Sequence, residues 1–132
     1  MLNTASSTLH RALLGLSLLA CGVQAQPVMP TEFPDGAVPM APEDLSARIG
    51  GKVHRIKFFD GSAARIDYKT NGYVFLDMSS GFRDSGNWRV DGTKLCTEWR
   101  QVKSSCSEAR LKDETVYVKR VVNGEIVSLA SD

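Results

Sequence analysis

The C-terminal two thirds of the chain alternates between apolar and polar side chains along short runs. Such alternation is typical of β-strands that bury one face and expose the other. The apolar face of the clearest runs carries Ala64, Ile66 and Tyr68, then Val74, Leu76 and Met78, then Leu95, Thr97 and Trp99, and finally Val116 and Val118.

Turn signals separate these runs at nearly regular intervals. Four dipeptides have the composition that tight hairpins favour, namely Asp60-Gly61, Asn71-Gly72, Asp91-Gly92 and Asn123-Gly124. Weaker polar breaks fall at 79–85, 102–105 and 112–114. The breaks recur about every ten or eleven residues, which is the spacing of an antiparallel meander.

These patterns predict an all-β domain of about eight short antiparallel strands in an up-and-down meander. Such a meander closes into a small barrel or folds as a two-sheet sandwich, and the sequence leaves both arrangements open. Because the strands are short, we expect a packed core with at most a shallow mouth.

One short helix is predicted before the first strand, over residues 42–50. The segment has acidic residues in its first turn, Arg48 in its last turn and a glycine at its end. Leu45 and Ile49 are four residues apart, so they share one face and can pack against an end of the sheet.

The N-terminal residues have the layout of a secretory signal peptide. Arg11 is their single formal charge, and an apolar run over 12–23 follows it. Small residues at the positions read by signal peptidase predict cleavage after Ala25. We therefore assign residues 1–25 to a signal peptide and expect a periplasmic or secreted protein.

A second interpretation makes the protein a lipoprotein. Leu18-Leu19-Ala20-Cys21 resembles a lipobox, and processing there would leave a lipidated Cys21 at the mature N-terminus. Both interpretations stay open, and the sequence predicts membrane association only if Cys21 is lipidated.

A proline-rich, acidic segment follows the leader. All five prolines lie between Pro27 and Pro42, together with acidic residues and no basic one. We predict a disordered tether over residues 26–44 and a folded domain over residues 45–132. The domain then has a net charge of about +4 beside a tether of −4, which suits ordinary solubility or a mild attraction to anionic partners.

Cys96 and Cys106 are the two cysteines outside the leader. In an exported protein a disulfide between them is the default expectation. Free thiols or half of a metal site are the alternatives. Zinc is disfavoured because the cysteine spacing is too long and His54 is the single histidine outside the leader, so we predict no metal and no cofactor.

Catalytic patterns are weak in this chain. A serine-histidine-acid triad would need His54, and no serine lies in a nucleophile-elbow motif. Several aspartates occupy positions in or near turns, where Asp is favoured for backbone reasons, namely Asp60, Asp77, Asp84 and Asp91. We expect a non-enzymatic protein, with a small enzyme using His54 as an alternative.

Two surfaces are candidate binding sites. Tyr73 and Phe75 share the face opposite Val74 and Leu76, so one of the two pairs must meet solvent or a partner. The connection at 79–85 offers a second candidate, with Ser80, Phe82 and Arg83 as its binding residues. Trp88 and Trp99 lie in alternating strands and are predicted to be structural core residues.

Several of these residues together resemble a known family. The run Gly86-Asn87-Trp88-Arg89-Val90, Leu95-Cys96, Trp99, Cys106, Tyr117 and Asn123-Gly124 is similar to the domain-of-unknown-function 995 type of small secreted proteobacterial proteins. The resemblance spans about residues 45–129. It implies the fold and the compartment but no activity. Separately, Ser80-Gly81-Phe82 resembles a loop of periplasmic lysozyme inhibitors, which plug an enzyme cleft with loop residues. This resemblance implies a similar mode of binding but not membership of that family.

The sequence therefore predicts a periplasmic or secreted binding or interaction module whose partner is a protein or a cell-envelope polymer. An inhibitor of a cell-wall hydrolase, using the 79–85 loop, is the alternative. Nucleic acid is not an expected partner, because the sequence predicts export.

Overall fold

The computed structural model describes Gly15, Ser17 and residues 19–132, so most of the predicted signal peptide lies outside the described residues. Within this described part of the chain, one helix precedes eight strands. The elements are α1 (Pro42–Ile49), β1 (Lys52–Lys57), β2 (Ala63–Tyr68), β3 (Tyr73–Met78), β4 (Arg83–Asp91), β5 (Lys94–Trp99), β6 (Ser105–Lys112), β7 (Thr115–Lys119) and β8 (Ile126–Ser131).

The eight strands form a closed antiparallel barrel in which each strand pairs with the next along the chain. Pairing of β1 with β8, at His54↔Ser131 and Arg55↔Ala130, completes the ring. The predicted all-β meander with one short helix is confirmed, and the closed barrel is the arrangement adopted. Closure leaves no free sheet edge and turns all the apolar faces toward one lumen.

The barrel has two different ends. The connections at 58–62, 79–82, 100–104 and 120–125 meet at one end, which we call the open end. The remaining turns and α1 lie at the opposite end, which we call the helix end.

Each of the four predicted hairpin turns contains one residue with a positive φ, whereas the type I′ turn of a two-residue hairpin requires two. In the four Asp-Gly and Asn-Gly dipeptides the glycine has a positive φ, whereas the preceding residue does not. Asp60 and Asn71 instead accept a hydrogen bond from the backbone N–H two residues ahead, at 2.9 and 3.2 Å. Two consecutive positive φ values occur at Asp113 and Glu114, a turn with a weaker sequence signal.

Helix α1 closes the helix end. Leu45 and Ile49 are fully buried, as the spacing of four residues predicts. The helix contacts β1 and β4, and Met40 joins the same apolar cluster just before the helix begins. This end of the lumen is therefore filled.

Part of the segment predicted as a disordered tether packs against the barrel wall. The Pro30 carbonyl accepts a 2.8 Å hydrogen bond from the first residue of β8. Val38 bridges Leu111 on β6, and Met40 is buried. Residues 30–41 thus run along the barrel from the open end to the helix end, held by these backbone hydrogen bonds and by the burial of Met40.

The Cys96–Cys106 disulfide is present, as predicted. The two cysteines are directly opposite each other on β5 and β6, and their Cα atoms are 3.9 Å apart. The bond therefore links two neighbouring strands below the 100–104 connection at the open end.

Candidate functional site

A cavity of about 650 Å³ opens at the open end of the barrel and reaches inward as far as Tyr68. The sequence predicts a packed core with at most a shallow mouth. Wall residues such as Ile56, Ile66 and Leu129 do belong to the buried core, but the opening is deeper than predicted. Eight strands make a barrel just wide enough to hold one small ligand when the inward side chains do not meet across it. The apolar walls carry Ile56, Ile66, Leu76, Met78, Val118 and Leu129.

One wall of the cavity carries hydroxyl groups. Thr97 on β5 is directly opposite Ser105 on β6, and Ser107 is the next inward position on β6. This stripe faces the aliphatic side chains of the other strands. The cavity is therefore apolar on most sides and offers hydrogen-bonding groups on one.

Tyr68 lies at the inner end of the cavity. Its ring makes edge contacts with His54 and Trp88, with centroids 5.6 and 5.5 Å away. The side chain is almost fully buried, and burial raises the pKa of the hydroxyl. The Tyr68 hydroxyl has no hydrogen-bond partner among the described residues. The neutral phenol can therefore donate a hydrogen bond to a ligand in the cavity.

His54 on β1 lies beside the last residue of α1, and its ring contacts Tyr68. Its Nε2 atom is 3.3 Å from the Ile49 carbonyl oxygen, which accepts a hydrogen bond when that nitrogen is protonated. Nδ1 is buried and has no partner among the described residues. Burial lowers the pKa of His54, so the ring is neutral near pH 7. Within the described chain its contacts are those of a residue that anchors the helix.

Two buried carboxylates shape the mouth of the cavity. Asp84 accepts hydrogen bonds from the backbone N–H groups of Gln101 (3.1 Å) and Val102 (3.0 Å). Glu125 accepts one from the Phe59 backbone N–H and one from Arg120, both at 2.6 Å. Asp84 thus joins β4 to the 100–104 connection, and Glu125 joins the first connection to the last.

The pKa of each carboxyl is lower than usual. Burial alone would raise both values. For Asp84 this effect is exceeded by backbone N–H donors, and for Glu125 by the Phe59 N–H together with the Arg120 guanidinium. Both groups are therefore ionised in the folded protein at neutral pH.

The predicted 79–85 loop contributes one residue to the cavity. Phe82 lines the mouth. Ser80 accepts a 3.4 Å hydrogen bond from the Phe82 backbone N–H, and Arg83 forms an ion pair with Asp77 at 2.7 Å. The connection itself is a four-residue turn, closed by a 2.9 Å hydrogen bond from the Gly81 N–H to the carbonyl of the last residue of β3.

Tyr73 and Phe75 lie on the outer wall of β3, where 52% and 45% of their surface is exposed. Val74 between them is fully buried, so the tyrosine and phenylalanine are the pair that meets solvent. The structure therefore does not bring them together with Phe82 at the cavity mouth.

The two tryptophans occupy different ends of the barrel. Trp88 donates a 2.8 Å hydrogen bond from its indole N–H to the Lys69 carbonyl, and its ring packs against Gly50 at the end of α1. Trp99 lines the cavity. Both are partly buried against the apolar core.

Sequence reasoning missed the residues that form the mouth. Val102, Lys103, Val121 and Val122 lie in connections whose polar neighbours indicate turns, yet all four line the entrance. The available signal was a pair of adjacent valines at 121–122 within a predicted turn, where apolar side chains are unusual.

No described helix has the length and apolar character needed to cross a membrane. A scan against models of protein families finds no matching family, and searches of curated proteins and of solved structures find no significant match.

Proposed function

We propose that this protein is an exported, non-enzymatic binding module that holds one small, largely apolar molecule inside its barrel. The observation that carries the proposal is the cavity of about 650 Å³ that opens at one end of the barrel. Cavities of roughly 300–1,000 Å³ are typical of sites for small molecules.

The lining defines the chemistry of the ligand. Aliphatic walls favour hydrocarbon, because each buried CH₂ group contributes about 0.8 kcal/mol. The hydroxyls of Thr97, Ser105 and Ser107 lie along one side, and Tyr68 lies at the inner end. A ligand with an apolar body and a few hydrogen-bonding groups on one edge matches this arrangement.

The scaffold holds the site ready for binding. The Cys96–Cys106 bond ties β5 to β6, and the Asp84 and Glu125 carboxylates fix the connections around the entrance. A pre-organised site loses less conformational entropy when a ligand binds, so more of the contact energy appears as affinity.

Export is the second part of the proposal. The signal-peptide pattern before Gln26 supports it, and a disulfide is compatible with an oxidising compartment. We retain cleavage after Ala25 as the leading route and lipidation of Cys21 as the alternative.

The position of Phe82 favours ligand binding over inhibition of a cell-wall hydrolase. An inhibitor loop has to project into the cleft of its target enzyme. Here the turn is short and hydrogen-bonded, and Phe82 lines the cavity entrance. We therefore assign Phe82 to the cavity.

The test uses the apolar fluorophore N-phenylnaphthylamine as a probe. Its emission rises when it leaves water, so titration of the protein reports occupation of an apolar cavity. We expect saturable binding by the wild-type protein, and strong weakening in Ser107→Phe, which places a phenyl ring inside the lumen.

Ser128→Phe is the matched control, because Ser128 is exposed and faces outward on β8. It should bind the probe as the wild-type protein does. Circular dichroism establishes that both variants are folded. Undiminished probe binding in a folded Ser107→Phe variant would show that the cavity is not the binding site.

A further inference from the structure

Exposed apolar side chains are concentrated at the open end of the barrel. Each of the four connections there carries at least one large apolar side chain with 38% to 78% of its surface exposed. We call this set the apolar rim, and it consists of Phe59, Phe82, Val102, Val121 and Val122.

The rest of the barrel surface lacks a comparable ring. The helix-end turns at 69–72, 92–93 and 113–114 contain no large apolar residue. Within the strands, Tyr73 and Phe75 are the large apolar side chains that the described structure exposes, and both lie on one outer wall. The apolar rim is therefore a property of one end of the molecule.

Basic residues accompany the apolar rim. Arg100 and Lys103 flank Val102 in one connection, and Lys57 ends β1 beside another; all three are exposed. None of the three forms an ion pair within the described part of the chain. Asp60 is the exposed acidic side chain of the four connections, and its carboxylate already accepts hydrogen bonds from Ser62.

The N-terminal segment joins the barrel at the same end. The Pro30 carbonyl is hydrogen-bonded to the first residue of β8, and Met29 contacts Asn123 in the 120–125 connection. If Cys21 were lipidated, the lipid anchor would be only a few residues along the chain from the apolar rim.

We propose that the apolar rim docks on the surface of an anionic lipid bilayer. The aromatic and valine side chains enter the interfacial region, while the unpaired cations meet lipid phosphates. The cavity mouth then faces the bilayer, so that an apolar ligand passes between lipid and barrel without crossing water. Docking rests on the surface of the open end and does not require that the cavity be occupied.

Vesicle flotation tests the proposal directly, with no cavity ligand present. The processed protein is first weighed by mass spectrometry, so that the species used begins at Gln26 and carries no acyl chain. We expect it to float with vesicles of phosphatidylethanolamine and phosphatidylglycerol, and much less with vesicles of phosphatidylcholine. Added salt should weaken the binding, because it screens the cations.

Two double variants locate the contact. Val121→Ser/Val122→Ser should reduce the partition coefficient by about tenfold, since two apolar side chains are lost from the interface. Arg100→Gln/Lys103→Gln should reduce the preference for anionic vesicles. Tyr73→Ser/Phe75→Ser is the matched control, because it removes exposed apolar surface from the outer wall and should bind as the wild-type protein does.

Three results would overturn the proposal. One is absence of flotation with anionic vesicles; another is an equal loss in the outer-wall control. The third is a dimer in sedimentation velocity that depends on Val121 and Val122, found without vesicle binding, which would make the apolar rim an interface between two copies. Probe binding in vesicle-free solution is measured separately, so failure of docking and failure of ligand binding are distinguishable.

Discussion

A Cβ atom on Gly86 would lie 1.9 Å from the carbonyl oxygen of Glu98. The two residues belong to neighbouring strands, β4 and β5, and Gly86 is paired with Trp99. The absence of a side chain lets the backbone of β4 come unusually close to β5 at this position. The position of a Cβ atom is fixed by its own backbone, and the Glu98 carbonyl oxygen is a backbone atom. No rotamer change could therefore relieve the contact.

Gly86→Ala should therefore destabilise the domain by about 3 kcal/mol or more, because the added methyl group forces two strands apart. The free energy of unfolding is measured by urea denaturation. Asn87→Ala is the control, since Asn87 is the exposed neighbour on the same strand, and it should change stability little. Equal stabilities of the two variants would contradict the inference.

Trp88→Phe should cost about 1 kcal/mol, because the indole hydrogen bond to the Lys69 carbonyl is lost. Trp88→Ala should cost about 3 kcal/mol, since the contacts with Tyr68 and Gly50 disappear as well. Thermal melting of the three proteins gives the order. A Trp88→Ala variant that melts like the wild-type protein would show that the helix end does not depend on this ring.

Breaking the Cys96–Cys106 bond should reduce the free energy of unfolding by about 2–3 kcal/mol, because a short loop of the unfolded chain is no longer closed. Urea denaturation with and without a reducing agent measures the difference. The Cys96→Ala/Cys106→Ala variant serves as the control, since a reducing agent should leave its stability unchanged. Two alkylatable thiols in protein isolated without a reducing agent would refute the bond.

Acid should loosen the open end of the barrel. The folded-state pKa values of Asp84 and Glu125 lie below their ordinary values of 3.8 and 4.5. Their ionised forms therefore contribute stability that is present above about pH 5 and is lost as the pH falls through the folded-state pKa values. We expect the free energy of unfolding to decrease over this acidic range.

The Asp84→Asn/Glu125→Gln variant isolates this effect. It should be less stable at neutral pH, because amide groups accept these hydrogen bonds more weakly, and its stability should vary less with acidification. Urea denaturation at a series of pH values measures both slopes. Parallel profiles for the variant and the wild-type protein would exclude the two carboxylates as the acid-sensitive groups.

The sequence by itself determined the strands, the helix and the disulfide. Alternation of apolar and polar residues indicated which face of β2, β5 and β7 is buried, and Leu45 and Ile49 indicated the apolar face of α1. These features depend on neighbours along the chain or on the simple count of cysteines. They can therefore be predicted without knowing how the strands come together.

Only the tertiary structure decided the cavity. Leu76 and Thr97 point into the lumen whether or not other side chains fill it, so their pattern in the sequence does not reveal a cavity. The outcome depends on the barrel diameter and on the summed volumes of side chains from all eight strands. For this reason the sequence supported a shallow mouth, whereas the closed barrel has an opening that reaches inward as far as Tyr68.

The mouth was likewise decided by contacts between distant parts of the chain. Asp84 is predicted as a turn residue that serves its local backbone, yet its carboxylate holds Gln101 and Val102, which are 17 and 18 residues away. Phe82 and Val122 become neighbours of one opening because closure of the barrel brings alternate connections to the same end. That convergence comes from the geometry of the closed sheet, and no local segment of the sequence encodes it.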